Sequence, residues 1–138
     1  MASIKELSMY RLDKAKENLG VVEHLIEEGY FNFAVNRAYY AAFNAMRAVN
    51  ALDGFDSSKH SGVIAHFNQN YVKTGIFDSE TSKIIKKAST LREKSDYEDF
   101  FETSKGDALE AYESVTRFID SVEVYLKSVI SVSEPISK

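Results

Sequence analysis

The chain has 138 residues, a formal net charge of −4, no cysteine and a single proline, Pro135. A domain of that length buries about two-thirds of its unfolded surface, and without thiols it builds neither a disulfide framework nor a thiolate zinc site. The acidic balance argues against broad, nonspecific nucleic-acid binding and leaves room only for a local basic groove.

The first stretch, MASIKELSMYRLDKAKENL, is amphipathic and carries both signs of charge. It lacks the apolar core of a signal peptide, and no apolar run reaches membrane-spanning length. The expectation is a soluble, cytoplasmic protein with no membrane association. Ser3, followed three residues later by Glu6, is a capping box and predicts a helix start. Leu7, Leu12, Ala15, Leu19, Val22, Leu25 and Ile26 mark its buried stripe. Gly29 then supplies a left-handed stop.

A second helix follows at once, so the two should form a tight antiparallel hairpin. Its expected span is about residues 30 to 51, with Phe31, Ala34, Val35, Ala38, Ala41, Ala42, Ala45, Met46, Val49 and Leu52 at helical spacing. The alanines favour helix and let neighbouring helices approach closely. A helix this apolar belongs in the middle of a bundle. Arg37, Tyr39, Tyr40, Phe43 and Arg47 break the apolar pattern, and their polar groups need partners there.

Residues 53–58, DGFDSS, read as a loop. Ser57 or Ser58 should cap a third helix with Val63, Ile64, Phe67 and Tyr71 facing inward. Gly75 closes that region, and Asp78 or Ser79 should cap a fourth helix carrying Ile84, Ile85, Ala88 and Leu91. The segment Arg92 to Phe101 is charged and aromatic together and has no clear register. Ser104, with Asp107 three residues on, opens a last helix with its stripe from Ala108 to Val129. Residues 131–138 form a polar tail. The reading is all-α: one domain over residues 1–130, an up-and-down bundle of about five helices.

Several chemistries find no support in the residues. There is no glycine-rich phosphate loop and no serine in a nucleophile elbow. His24, His60 and His66 are the only histidines, and none stands at metal-ligand spacing to a carboxylate. Neither a metal nor a cofactor is expected.

Three clusters carry chemistry. Arg37, Tyr39 and Tyr40 lie on the central helix. Lys59, His60 and Ser61 stand at a helix start, where free N–H groups and the helix dipole favour a phosphate. Arg92, Lys94, Asp96 and Tyr97 put a guanidinium, an ammonium, a carboxylate and a phenol within six residues. Such groups suit binding of a phosphodiester and polarisation of a ribose hydroxyl. Arg37, Tyr40, Lys59, His60, Lys94 and Asp96 are therefore candidate ligand-binding residues, with Arg92 and Tyr97 as candidate catalytic ones. A buried Arg37–Asp96 pair is expected, leaving Arg92, Lys94 and His60 to face the phosphate.

Three segments together resemble the HEPN family: AVNRAYYAAF at 34–43, KHSGVI at 59–64 followed by Phe67, and LREKSDY at 91–97. The resemblance runs from about Met9 to Lys127. It implies a bundle of four or five helices, a symmetric homodimer, and a pairing with a minimal nucleotidyltransferase like that of a toxin and its antitoxin. Many members are metal-independent ribonucleases whose arginine is followed four to six residues later by a histidine. Here Arg92 matches the arginine, but the residue five positions on is Tyr97, and no histidine follows Arg92. A phenol with a reference pKa near 10 is a poor general base beside imidazole near 6.5. In some family toxins a tyrosine near the motif arginine is adenylylated by the partner, a role the resemblance offers to Tyr97.

Two function classes follow. One is an interaction protein, the partner of a nucleotidyltransferase, binding nucleotide or RNA in a groove of Arg37, His60, Arg92 and Tyr97. The other is a ribonuclease toxin in which Arg92 works with another residue, such as His60. Aromatic residues beyond the inward stripes, Tyr71, Phe77, Phe100 and Phe101, suggest an exposed face and a two-fold homodimer.

Overall fold

The structure is a computed structural model, and residues 3–133 are described, their side chains through Ile130. Among these residues five α-helices and no strand are found: α1 (Ile4–Glu27), α2 (Phe31–Asn50), α3 (His60–Phe67), α4 (Ser79–Tyr97) and α5 (Lys105–Ser133). Four long helices form the bundle, and α3 is a short connector. The backbone of α5 runs on through Ser133, into the stretch expected as a tail. Residues 134–138 lie outside the described residues.

Local chemistry sets most boundaries. At the start of α1, Ser3 Oγ accepts from the Glu6 backbone N–H at 3.0 Å, and Glu6 Oε1 accepts from the Ser3 N–H at 2.9 Å. This closes the expected capping box. Gly29 stands at φ 85°, a left-handed turn that a side chain disfavours, and α2 begins two residues later. At α5 the Ser104 hydroxyl accepts from the Asp107 N–H at 3.0 Å.

The third helix differs from expectation. It begins at His60 with Lys59 as its cap residue, and no side chain caps it. Ser57 Oγ is already occupied by the Lys59 N–H at 3.1 Å, so the serine stabilises the loop before the helix instead. After α3 the chain makes one wider π-helical turn, residues 68–72. Tyr71 and Phe77 are buried in the core against Phe67 and Tyr125, which bears out the inward-facing reading of Tyr71 and corrects the expectation that the two rings belong to an exposed face. Phe101 is half-buried, while the Phe100 ring is fully exposed in the turn after α4. The register left open from Arg92 onward resolves as helix to Tyr97 and turn thereafter.

Helix α2 is the middle of the molecule and packs against α1, α3, α4 and α5. Ala34, Ala38, Ala41, Ala45 and Ala48 are completely buried on it. Small side chains there bring the neighbouring backbones close. The large buried residues that fill the remaining space include Leu12, Tyr39, Met46, Phe67, Ile119 and Leu126. Each contributes roughly 1.5–3 kcal/mol relative to exposure. No described helix is long and apolar enough to cross a membrane.

The ends of α2 and α4 are joined by polar contacts that decide where the site lies. Asn36 Nδ2 donates to Asp96 at 3.0 and 3.3 Å, bringing the start of α2 to the end of α4. Asn32 ties down the α4–α5 connection: its Oδ1 accepts from the Thr103 N–H and hydroxyl at 2.9 and 2.6 Å, and its Nδ2 donates to the Phe101 carbonyl at 3.2 Å.

Candidate functional site

Three helices bring one residue each to a common point. Tyr39 comes from α2, His60 from the first position of α3, and Arg92 from α4. The Tyr39 hydroxyl lies 3.0 Å from His60 Nδ1. The Arg92 guanidinium stands 4.7 Å from the centroid of the Tyr39 ring and 5.6 Å from that of Tyr40. At such distances a cation is attracted by the ring face, the more so where water is excluded. Phe43 completes the aromatic floor, its ring centroid 4.2 Å from that of His60.

Helical spacing explains the convergence. Asn36, Tyr40, Phe43 and Arg47 recur at intervals of four, three and four and so share a strip of α2. On α4, Arg92 and Asp96 are four apart and face α2 together, joined at 3.4 Å. Their side chains are only 11% and 27% exposed, so this is no solvated charge run. Arg92 Nε is buried without a hydrogen-bond partner. An unpaired buried donor is uncommon and leaves the guanidinium incompletely satisfied.

Burial sets the protonation states. It pushes the Tyr39 phenol above its ordinary pKa, so at neutral pH the hydroxyl is intact. Burial, and then the Arg92 charge, lower the His60 pKa, so the imidazole is neutral at pH 7. The phenol can take either role toward it. As a donor to Nδ1 it leaves Nε2 carrying the proton; as an acceptor from Nδ1–H it leaves Nε2 as a free base.

The described residues hold no group of three or more histidine or carboxylate side chains arranged for a metal.

With the geometry established, comparison with known proteins decides the family. A sequence model described as the HEPN domain matches residues 8–125. The chain belongs to the HEPN family. A UPF0332 protein of Thermotoga maritima is 31% identical over 116 residues, 84% of this chain and 88% of the relative. Two proteins of Methanocaldococcus jannaschii carry the names "Putative toxin MJ0605" and "Putative toxin MJ0142". The first is 32% identical over 127 residues, 92% of this chain and 94% of the relative. The second is 30% identical over 117 residues, 85% and 80% of the respective chains.

Within this HEPN bundle the residues singled out from the sequence fall into two groups. Tyr40, His60 and Arg92 gather around Tyr39, and Arg37 and Asp96 join them through the Tyr40 ring and Arg92 respectively. Lys59, Lys94 and Tyr97 do not. Lys59 is exposed ahead of α3. Lys94 lines a cleft of about 470 Å³ with Lys83, Lys86, Lys87, Leu91 and Phe101, on the side of α4 turned away from Arg92. Tyr97 is 76% exposed and lies beside Glu93, Lys94 and Glu98. Five positions along a helix put it well round from Arg92.

The expected Arg37–Asp96 pair is absent. Arg37 donates to Asn36 Oδ1 from Nε and Nη2 at 3.1 and 2.9 Å, and to Asn18 Oδ1 from Nη1 at 3.1 Å. It also stands 4.9 Å from the Tyr40 ring centroid. Asp96 instead takes Arg92 and the Asn36 amide. Asn36 thus links Arg37, through its Oδ1, to the carboxylate of Asp96 that holds Arg92, through its Nδ2. Sequence reasoning passed over Asn36; an asparagine directly before a half-buried arginine on an otherwise apolar helix was the available signal. Tyr39 was named in the cluster with Arg37 and Tyr40 but not among the candidate ligand-binding residues, yet it is the residue that touches both His60 and Arg92.

Proposed function

We propose that this HEPN protein is the toxin-side member of a toxin–antitoxin-type pair, partner to a minimal nucleotidyltransferase, and that it binds the phosphate of a nucleotide or RNA at the Arg92–His60 groove. The observation that carries the reading is the meeting of Arg92 and His60 on Tyr39. A charged guanidinium and a neutral imidazole beside aromatic rings suit a phosphate attached to a flat base. The contact from Arg92 to Asp96 is long at 3.4 Å, so an incoming phosphate competes for the guanidinium on favourable terms. Family membership and the toxin-named relatives support the pairing. The exposed hydroxyl of Tyr97 suits adenylylation by such a partner. Phe33, Tyr30 and Phe100 are exposed apolar rings of the kind that a two-fold homodimer covers. Calorimetric titration of uridine monophosphate and of RNA into the parent and Arg92→Gln tests the groove. Loss of both affinities in the variant is the expected result, and equal binding by the two proteins would overturn it.

A second reading has its own support. The histidine missing after Arg92 is supplied in space by His60 of α3. In this reading the chain is a metal-independent ribonuclease. Neutral His60 takes the proton of a ribose 2′-hydroxyl, O2′ forms a bond to phosphorus, and the P–O5′ bond breaks. Arg92 balances the charge that builds on the phosphoryl oxygens. The products are a 2′,3′-cyclic phosphate and a 5′-hydroxyl end, the leaving oxygen taking a proton from water or imidazolium. This requires the tautomer with Nε2 free. RNA incubated with parent and His60→Gln separates the readings: cleavage by the parent and not by the variant favours the ribonuclease, while binding without cleavage favours the interaction protein.

A further inference from the structure

The face of α4 turned away from Arg92 takes no part in the groove above. Its cleft of about 470 Å³ is rimmed by Lys83, Lys86, Lys87 and Lys94 and floored by Leu91 and Phe101. A second recess of about 170 Å³ continues it between α4 and α5, sharing Lys83, Lys87 and Leu91 and adding Ile84, Ala88 and Ala111. The two form one trough. Ile84, Leu91, Phe101 and Ala111 are only half-buried along it, so apolar surface is left uncovered there.

The trough carries an excess of positive charge. Five cations, the four lysines and Arg117, meet three carboxylates, Glu80, Asp107 and Glu110, on a chain whose net charge is −4. Among the described residues Lys83, Lys86 and Lys94 make no ion pair or hydrogen bond. Lys87 pairs with Glu110 across the trough, but both side chains are more than half exposed, and such a pair holds weakly. The lysine ammoniums are thus free to meet carboxylates brought from outside.

Spacing sets the shape of the occupant. Lys83, Lys87 and Lys94 recur at intervals of four and seven and share one strip of α4. From Lys83 to Lys94 is about 16 Å of rise, or three turns of a helix lying alongside. A small anion would meet only one end of that row, and an open trough does not enclose it. A nucleic-acid strand meets three carboxylates and a largely aliphatic floor on which bases have little to stack. A membrane surface calls for protruding apolar side chains, and these are recessed. An amphipathic helix with apolar residues toward the floor and carboxylates toward the rim fits both features, and the small Ala88 and Ala111 let it come close. We propose that the α4–α5 trough is the docking site for an acidic amphipathic helix of a partner protein, seated on Leu91 and Phe101 with its carboxylates on Lys83, Lys86 and Lys94. This surface is separate from the Arg92 groove and does not depend on what that groove binds.

The test selects from a random phage-displayed library of peptides about sixteen residues long, roughly 24 Å as helix, on the immobilised parent. The Lys86→Glu/Lys94→Glu variant, shown folded by circular dichroism, competes in solution and removes binders of other surfaces. Recovered peptides should be rich in aspartate and glutamate, with apolar residues at three-and-four spacing. A synthetic copy should shift the amide signals of Leu91, Lys94 and Phe101 in the parent. It should bind Lys86→Glu/Lys94→Glu at least about tenfold more weakly, a loss of about 1.4 kcal/mol, and bind Arg92→Gln as it binds the parent. A copy with every glutamate replaced by glutamine should lose a similar factor. Recovery of no acidic peptide, equal binding to the parent and the lysine variant, or amide shifts confined to other helices would overturn the docking site. So would tetrauridylate or phosphatidylglycerol vesicles shifting the trough amides where the acidic peptide does not, which would assign this face to RNA or to a membrane.

Discussion

Tyr39 and His60, twenty-one residues apart in the chain, meet through one hydrogen bond of 3.0 Å between the phenol oxygen and Nδ1. The bond fixes the imidazole against α2 and decides which ring nitrogen faces the groove. Tyr39→Phe keeps the packing and removes the partner. It should cost about 1 kcal/mol of stability, the usual net worth of one such bond. Denaturant unfolding measures the cost. The imidazole nitrogen shifts of parent and variant then report which tautomer Tyr39 holds: Nε2–H for phosphate donation, free Nε2 for proton abstraction.

His60 also gives the fold a pH dependence. Its pKa in the folded chain lies below the ordinary value of 6.5, through burial and then the Arg92 charge. Between those two values the unfolded chain binds the proton more readily, so stability rises with pH across that window. The contribution is complete above about pH 6.5 and is lost as pH falls through the folded pKa. Asp56 and Glu6, held below their ordinary values by hydrogen bonds, give the same trend only at lower, carboxylate pH. Unfolding free energies measured from pH 8 downward should therefore begin to fall near pH 6.5 in the parent. In His60→Gln the decline should start only in the carboxylate range.

Asp96 and Arg92 should respond oppositely to substitution. Their pair is part-exposed and four residues apart on one helix, so Asp96→Ala should cost only about 1 kcal/mol after solvent screening. It also frees the Arg92 guanidinium, and mononucleotide affinity should rise several-fold. Arg92→Gln should lower it. Thermal melts and calorimetry on the same samples provide both readings. A loss of affinity in Asp96→Ala would mean that the carboxylate itself holds the ligand.

The Asn32 side chain should matter more to the fold than any member of the groove. It satisfies the Thr103 N–H and hydroxyl and the Phe101 carbonyl, and Thr103 is buried. Asn32→Ala leaves those groups without their partner and should destabilise the chain by about 2 kcal/mol. Amide exchange at Thr103 should quicken with it. Unchanged exchange there would show that the α4–α5 connection is held by something else.

The sequence by itself determined the helices, because their causes are local. Ser3 with Glu6, Gly29 and Ser104 with Asp107 are caps and stops that act within a few residues. The alanine-rich strip at 34–48 could lie only at the centre of a bundle, since nothing else covers a helix that is apolar nearly all round. Family membership was legible for the same reason, in short segments at fixed separations. Partner choice was not. Arg37 and Asp96 were matched as opposite charges, but Asn36 and Asn18 sit closer to Arg37 and satisfy its planar donors at once. Asp96 is left to the arginine one turn before it on its own helix. Tyr97 was chosen by its distance from Arg92 along the chain, whereas helical geometry turns it outward and brings His60 inward from another helix. Which polar groups pair depends on the rotation and approach of three helices. That is fixed by how the alanines and the large core residues pack together, a property of the assembled bundle and of no single segment.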